Sequence, residues 1–223
     1  FILGASKNIK ITDTSKTDND YIKSDSNFTI YNASKLGTIT IENTKILSGG
    51  TKPAVYSYED SKTNIIDSTI QGEKTVISVL KNSQVNITNS NVKIGNTSGE
   101  TGIENTNGKV NITNSKITII DASTNGIGIH SNTQNAVTTI TNSTVTANKN
   151  AISNEKGTLI INSGTFTSNT QHAVRTTENT TINGGTFISN TMAGLQILGN
   201  ANNIVINEGI FKTNSNTIGG LAI

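Results

Sequence analysis

Two near-copies, Val85-Asn86-Ile87-Thr88-Asn89-Ser90-Asn91-Val92 and Val110-Asn111-Ile112-Thr113-Asn114-Ser115-Lys116-Ile117, decide the fold. In each, apolar and polar residues alternate through a short strand, and an Asn-Ser pair breaks the run. A second apolar residue then falls five positions after the central Ile. Working outward, that Ile recurs at Ile41, Ile65, Ile87, Ile112, Ile140, Ile161, Ile182 and Ile206, with spacings of 24, 22, 25, 28, 21, 21 and 24 residues. The second apolar position follows as Ile46, Ile70, Val92, Ile117, Val145, Phe166, Phe187 and Phe211. A third strand is marked by a small residue joined to an aliphatic one, from Ala54-Val55 through Gly128-Ile129 and Ala173-Val174 to Gly220-Leu221.

A repeat of three short strands cannot bury its apolar residues alone, whereas stacked copies can. The spacing therefore predicts an all-β fold, a right-handed parallel β-helix or solenoid. About eight coils of three strands are expected, rising about 4.8 Å per coil. Stacking puts like residues above like. Phe166, Phe187 and Phe211 are expected to form an aromatic stack, and turn Asn residues to form amide ladders while tolerating left-handed backbone. A β-sandwich has no reason to repeat residue order at this period, and the Leu pattern of leucine-rich repeats is absent.

Residues 1–38 fit the repeat less well. Asn8-Ile9-Lys10-Ile11 and Asn27-Phe28-Thr29-Ile30-Tyr31 read as strands, interrupted by the polar stretch from Asp13 to Asp20. This part is expected to be an irregular partial coil or cap, continuous as one domain with the repeats of residues 39–223. Phe1 at the start and the apolar run Gly219 to Ile223 at the end both read as cut, so a fragment of a longer protein is expected. The longer coils place candidate lateral loops at Asn96 to Gly99 and at Ser123 to Asn125.

Composition agrees with thin cores and exposed polar turns: 32% of residues are hydrophobic, 4% are aromatic, and Asn, Thr and Ile make up nearly half the chain. A net charge of +2, with a single Arg, provides no basic stripe, so no nucleic-acid partner is expected. Cysteine is absent, and no apolar run reaches the roughly 20 residues that span a bilayer, so no membrane insertion within this stretch is expected.

The phrases Ile161-Asn162-Ser163-Gly164-Thr165-Phe166 and Ile182-Asn183-Gly184-Gly185-Thr186-Phe187, with their Asn-rich turns, resemble the pectin-lyase-like superfamily of right-handed β-helices. Within it they look most like the β-helical regions of bacterial cell-surface adhesins. The resemblance covers residues 39–223. It implies an extracellular rod and a range of activities from polysaccharide lyases and glycoside hydrolases to phage tailspikes and non-catalytic adhesins.

The chain carries little of the chemistry that the enzymes need. Glycoside hydrolysis requires two carboxylates about 5 to 10 Å apart, and the only adjacent pair, Glu59-Asp60, reads as a solvated turn. No catalytic residue, cofactor or metal site is expected. In particular, His130 and His172 are expected to lack carboxylates in register, and Arg175 is expected to have none beside it. One outward column does stand out, that of the residue following each third-strand anchor: Tyr56, Ser78, Glu104, His130, Ser153, Arg175 and Gln196. Tyr58, two residues past Tyr56, shares its face. Tyr56, Tyr58, Glu104, His130, Arg175 and Gln196 are the candidate ligand-binding residues. The expected partner is a polysaccharide or host-surface glycan, held on a secreted or cell-surface adhesin. A polysaccharide lyase or hydrolase, or a rigid stalk, are the alternatives. An ice-binding face is disfavoured, because the outward columns mix Lys, Glu, Asn and Thr without a regular two-Thr register.

Overall fold

The computed structural model describes residues 2–3, 8–14, 20–33, 35, 37–95, 100–120, 125–199, 203–216 and 219–222. Among these residues every regular element is a strand, and each strand pairs in parallel with its equivalent one coil away. The result is a parallel β-solenoid of about seven turns. The motif Ile residues meet in register, Ile41 on Ile65, Ile65 on Ile87, Ile87 on Ile112, and so on to Ile182 on Ile206. Alternation explains the burial: in the strand Gln84–Thr88, Val85 and Ile87 are buried and their neighbours are half-exposed.

Seven rungs close completely. Ile46, Ile70, Val92, Ile117, Val145, Phe166 and Phe187 are each at most 1% exposed. Below them Ile22 is 37% exposed, and at the other end Ile206 is 37% exposed while Phe211 is only partly buried. The eighth motif copy thus lies on the open end of the stack. In the N-terminal part, Ile9–Thr12 pairs with Thr38–Glu42, Ile22–Ser24 with Lys45–Ser48, and Ile30–Asn32 with Val55–Ser57. These three strands follow the plan of the coils above them. The candidate loop residues Asn96 to Gly99, Ser123 and Thr124 lie outside the described residues.

The corner after the motif strand is built in two ways. In the earlier coils Asn89, Asn114 and Asn142 take φ values of 50°, 50° and 47°, and a buried Ser follows each. The backbone N–H of Ser68 donates to Ser90 Oγ at 3.0 Å, that of Ser90 to Ser115 Oγ at 3.1 Å, and that of Ser115 to Ser143 Oγ at 3.1 Å. A vertical chain of side-chain acceptors thereby satisfies amides that face the interior. In the later coils Gly164 and Gly185 occupy this position, at φ 141° and 127°. A Cβ at Gly164 would collide with the backbone oxygen of Ser143 and lie 3.2 Å from the Phe166 ring, and one at Gly185 would lie 3.1 Å from the Gly164 oxygen and 3.3 Å from the Phe187 ring. Exchanging Ser and Val for Gly and Phe keeps the corner filled, and the rings stack at 5.1 Å and 4.9 Å between centroids.

The Asn ladders expected at the turns are present, and one more runs along the middle of the motif strands, where Asn111 donates to Asn86 and Asn86 to Asn64, both at 2.8 Å. Asn207, Asn183 and Asn162 form a second ladder, and Asn214, Asn190, Asn169 and Asn148 a third.

Candidate functional site

Parallel pairing turns the residue after each third-strand anchor into a straight column on the outside of the rod. Tyr31, Tyr56, Ser78, Glu104, His130, Ser153, Arg175 and Gln196 are successive register partners. Every column residue named from the sequence lies in this line, and Tyr31 extends it by one rung. Ser78 and Ser153 are nearly buried, at 8% and 1% exposure, so each leaves a notch between longer side chains. Ser78 thereby divides the column into an aromatic half and an ionic half.

In the aromatic half, Tyr56 stacks on Tyr31 at 5.5 Å and on Tyr58 at 6.0 Å, and Phe28 approaches it to 4.4 Å. Lys81 Nζ lies 4.7 Å from the Tyr58 ring centroid and Lys52 Nζ 5.7 Å from that of Phe28. Desolvation by its neighbours raises the Tyr56 phenol above its usual value. Much of the Tyr56 ring face is spent on other rings, so a ligand would meet the rim of this cluster. Sequence reading missed Phe28 and Tyr31. Phe28 precedes the strand Ile30–Asn32, and its ring reaches the column from the connecting turn.

In the ionic half, His130 Nδ1 lies 3.0 Å from Glu104 Oε2, and its Nε2 lies 3.6 Å from Glu155 Oε2. Glu155 Oε1 in turn lies 3.4 Å from Arg175 Nη1. Asn132 Nδ2 donates to Glu104 Oε1 at 2.6 Å and fixes that carboxylate. The Glu104 bond raises His130 above the ordinary imidazole value against the opposing effect of burial, with Glu155 adding to the rise. Two expectations are therefore corrected: His130 has one carboxylate hydrogen-bonded at Nδ1 and a second at ion-pair distance from Nε2, which makes no hydrogen bond, and Arg175 does have a carboxylate beside it. Glu155 supplies the second carboxylate beside His130 and the carboxylate beside Arg175. It sits at a register irregularity, for Ser131 pairs with Asn154 but Asn132 pairs with Lys156, leaving Glu155 as the extra residue of a bulge.

His172 is 7% exposed, and its Nδ1 accepts the Ala193 N–H at 3.3 Å, which leaves the proton on Nε2. Burial lowers its value. Gln196 continues the column above Arg175. Glu59 and Asp60 form a turn at φ 53° and 55°, and Glu59 pairs with Lys35 at 3.4 Å.

Beside the Ser153 notch opens a cleft of about 340 Å³, lined by Lys149, Asn150, Ser153, Glu155, Gln171 and Arg175 over Ile127. Elsewhere Asp13, Asp20 and Asp67 share a smaller cleft of about 180 Å³ with Lys45. Among the described residues no group of three or more His, Asp or Glu side chains is arranged to hold a metal ion. Around His130 the two carboxylates approach opposite ring nitrogens, so their oxygens do not converge on one point.

The fold and this column define the class, a parallel β-solenoid repeat protein. No protein-family model, no curated protein and no solved structure matches the chain.

Proposed function

We propose that this chain is the non-catalytic, glycan-binding β-helical module of a bacterial surface or secreted protein of the pectin-lyase-like kind, acting as an adhesin. The observation that carries the reading is the outward column. Rigid strands space an aromatic cluster, an ionic chain and a polar cleft along one line of the rod. A saccharide chain presents hydroxyl edges and apolar ring faces in succession, and a linear array of Tyr, Glu, His, Arg and Gln side chains meets both. Binding on a glycan array by the wild-type chain, lost when Tyr56→Ala and Arg175→Ala are combined, is the expected result. Undiminished binding by that double variant would remove the face from the proposal. If no array glycan is bound at all, the rigid-stalk reading replaces it.

Glu104 and Glu155, flanking one histidine, give the hydrolase reading its best observation. The imidazole fills the gap between them, where a hydrolase must seat the scissile bond, and this disfavours catalysis in the present arrangement. New reducing or unsaturated ends on incubation with plant and bacterial polysaccharides would establish an enzyme instead.

A further inference from the structure

Glu155 stands between Arg175 and His130, the latter a cation only when doubly protonated, and holds neither closely. Its contacts of 3.6 Å to His130 Nε2 and 3.4 Å to Arg175 Nη1 are both longer than the roughly 2.7 to 2.9 Å of a good charge-assisted bond. Among the described residues it is the one carboxylate lining a cleft to which Lys149 and Arg175 contribute positive charge. Two cations thus face one half-exposed carboxylate among the described lining residues, with Ser153, Asn150 and Gln171 as neutral polar walls.

The geometry points to a binding site for an anionic group, a carboxylate or sulfate ester carried on a saccharide, seated on Arg175 and Lys149, with His130 deciding whether Glu155 or the ligand holds the guanidinium. This rests on the glycan-binding reading above and names the ligand class of the same face.

The switch follows from which atoms carry protons. Doubly protonated His130 donates Nδ1–H to Glu104 and presents Nε2–H to Glu155, drawing that carboxylate away from Arg175. Neutral His130 keeps the proton facing Glu104 and turns a lone pair toward Glu155. The carboxylate then moves to Arg175 and competes with any anion for the planar guanidinium donors. The groups around His130 are Glu104 on one neighbouring strand and Glu155 on the other, with Lys156 beside Asn132 in the register. Arg175 lies one strand further on, and buried His172, on the Arg175 side, is held neutral. Acid therefore frees Arg175, and mildly basic conditions occupy it.

The test uses dextran, carboxymethyl-dextran and dextran sulfate as probes, because these share a backbone and differ in charge. Binding is measured at about pH 5.5 and about pH 8, on either side of the ordinary imidazole value. The wild-type chain is expected to bind the two charged polymers roughly tenfold more tightly at the lower pH and to ignore neutral dextran. Arg175→Gln should abolish the difference between charged and neutral polymers. Glu155→Gln should bind as tightly at the higher pH as at the lower, since the competitor is gone. Equal capture of dextran sulfate by wild type and Arg175→Gln, or a pH dependence that survives Glu155→Gln, overturns the inference. Binding of a neutral array glycan that Arg175→Gln leaves intact keeps the glycan reading and sinks the anion site. A silent array, with capture of charged dextran that depends on Arg175, keeps the anion site and removes the neutral-saccharide contacts proposed for the rest of the column.

Discussion

The two halves of the outward column occupy the same backbone position in successive coils and are held by different forces. Around Tyr56, four rings are linked by contacts of 4.4 to 6.0 Å between centroids, made by dispersion and desolvation. Around His130, four charged groups follow one another across four successive strands, a contact made by charge. The interiors behind the two halves are nearly alike, with Val55, Ile103, Ile129 and Val174 all fully buried. A solenoid thus separates what holds the rod together from what its surface offers, because alternate residues of one strand serve the two tasks independently.

That separation can be broken most strongly at the aromatic end. Tyr56→Ala removes three ring contacts at a half-buried site and is expected to cost about 2 kcal/mol, by chemical denaturation, with little change between pH 5.5 and 8 or with added salt. A strong pH or salt dependence of that cost would mean that the aromatic half is electrostatically coupled to the rest.

A smaller and conditional effect is expected at the ionic end. His130 has a raised value in the folded chain, so its contribution is fully present below the unfolded value of about 6.5 and disappears as pH rises through the folded value. His130→Gln should therefore cost about 1 kcal/mol more in acid than in mild base, the extra acid cost shrinking at high ionic strength. A cost that is the same at both pH values contradicts the ion-pair assignment.

The smallest effect is predicted for Arg175→Ala. Its pairing with the 47% exposed Glu155 is long and solvated, so stability should change by about 0.5 kcal/mol or less. A larger loss would make Arg175 a structural residue and weaken its role in the binding face.

Much of this surface was legible in the sequence, for a specific reason. In-register parallel stacking converts sequence period into spatial columns. The five-residue offset from Ile161 to Phe166 and the anchor pair Ala173-Val174 were therefore enough to set Arg175 above Ser153 and His130 two rungs below it. What escaped were departures from the period. Glu155 is the added residue of a bulge, and a strict alternation count cannot show that its carboxylate reaches both His130 and Arg175. Phe28 escaped for a related reason: it reads from the sequence as part of a strand, but the strand begins only at Ile30, and its ring reaches the column from the turn before it. The Gly164 and Gly185 corners were readable as turns, yet their link to the ring size of Phe166 and Phe187 appears only when the side chains are packed.

The register itself is tested most directly by the two imidazoles, since the chain contains only two histidines. Glu104 and His130 are 26 residues apart and touch only if the coils stack as described. In an NMR titration, His130 is expected to protonate above the ordinary value of about 6.5 and His172 below it, with Glu104→Gln moving only the higher of the two downward. Two histidines titrating together near the ordinary value, unmoved by Glu104→Gln, would contradict the column on which the proposed binding face rests.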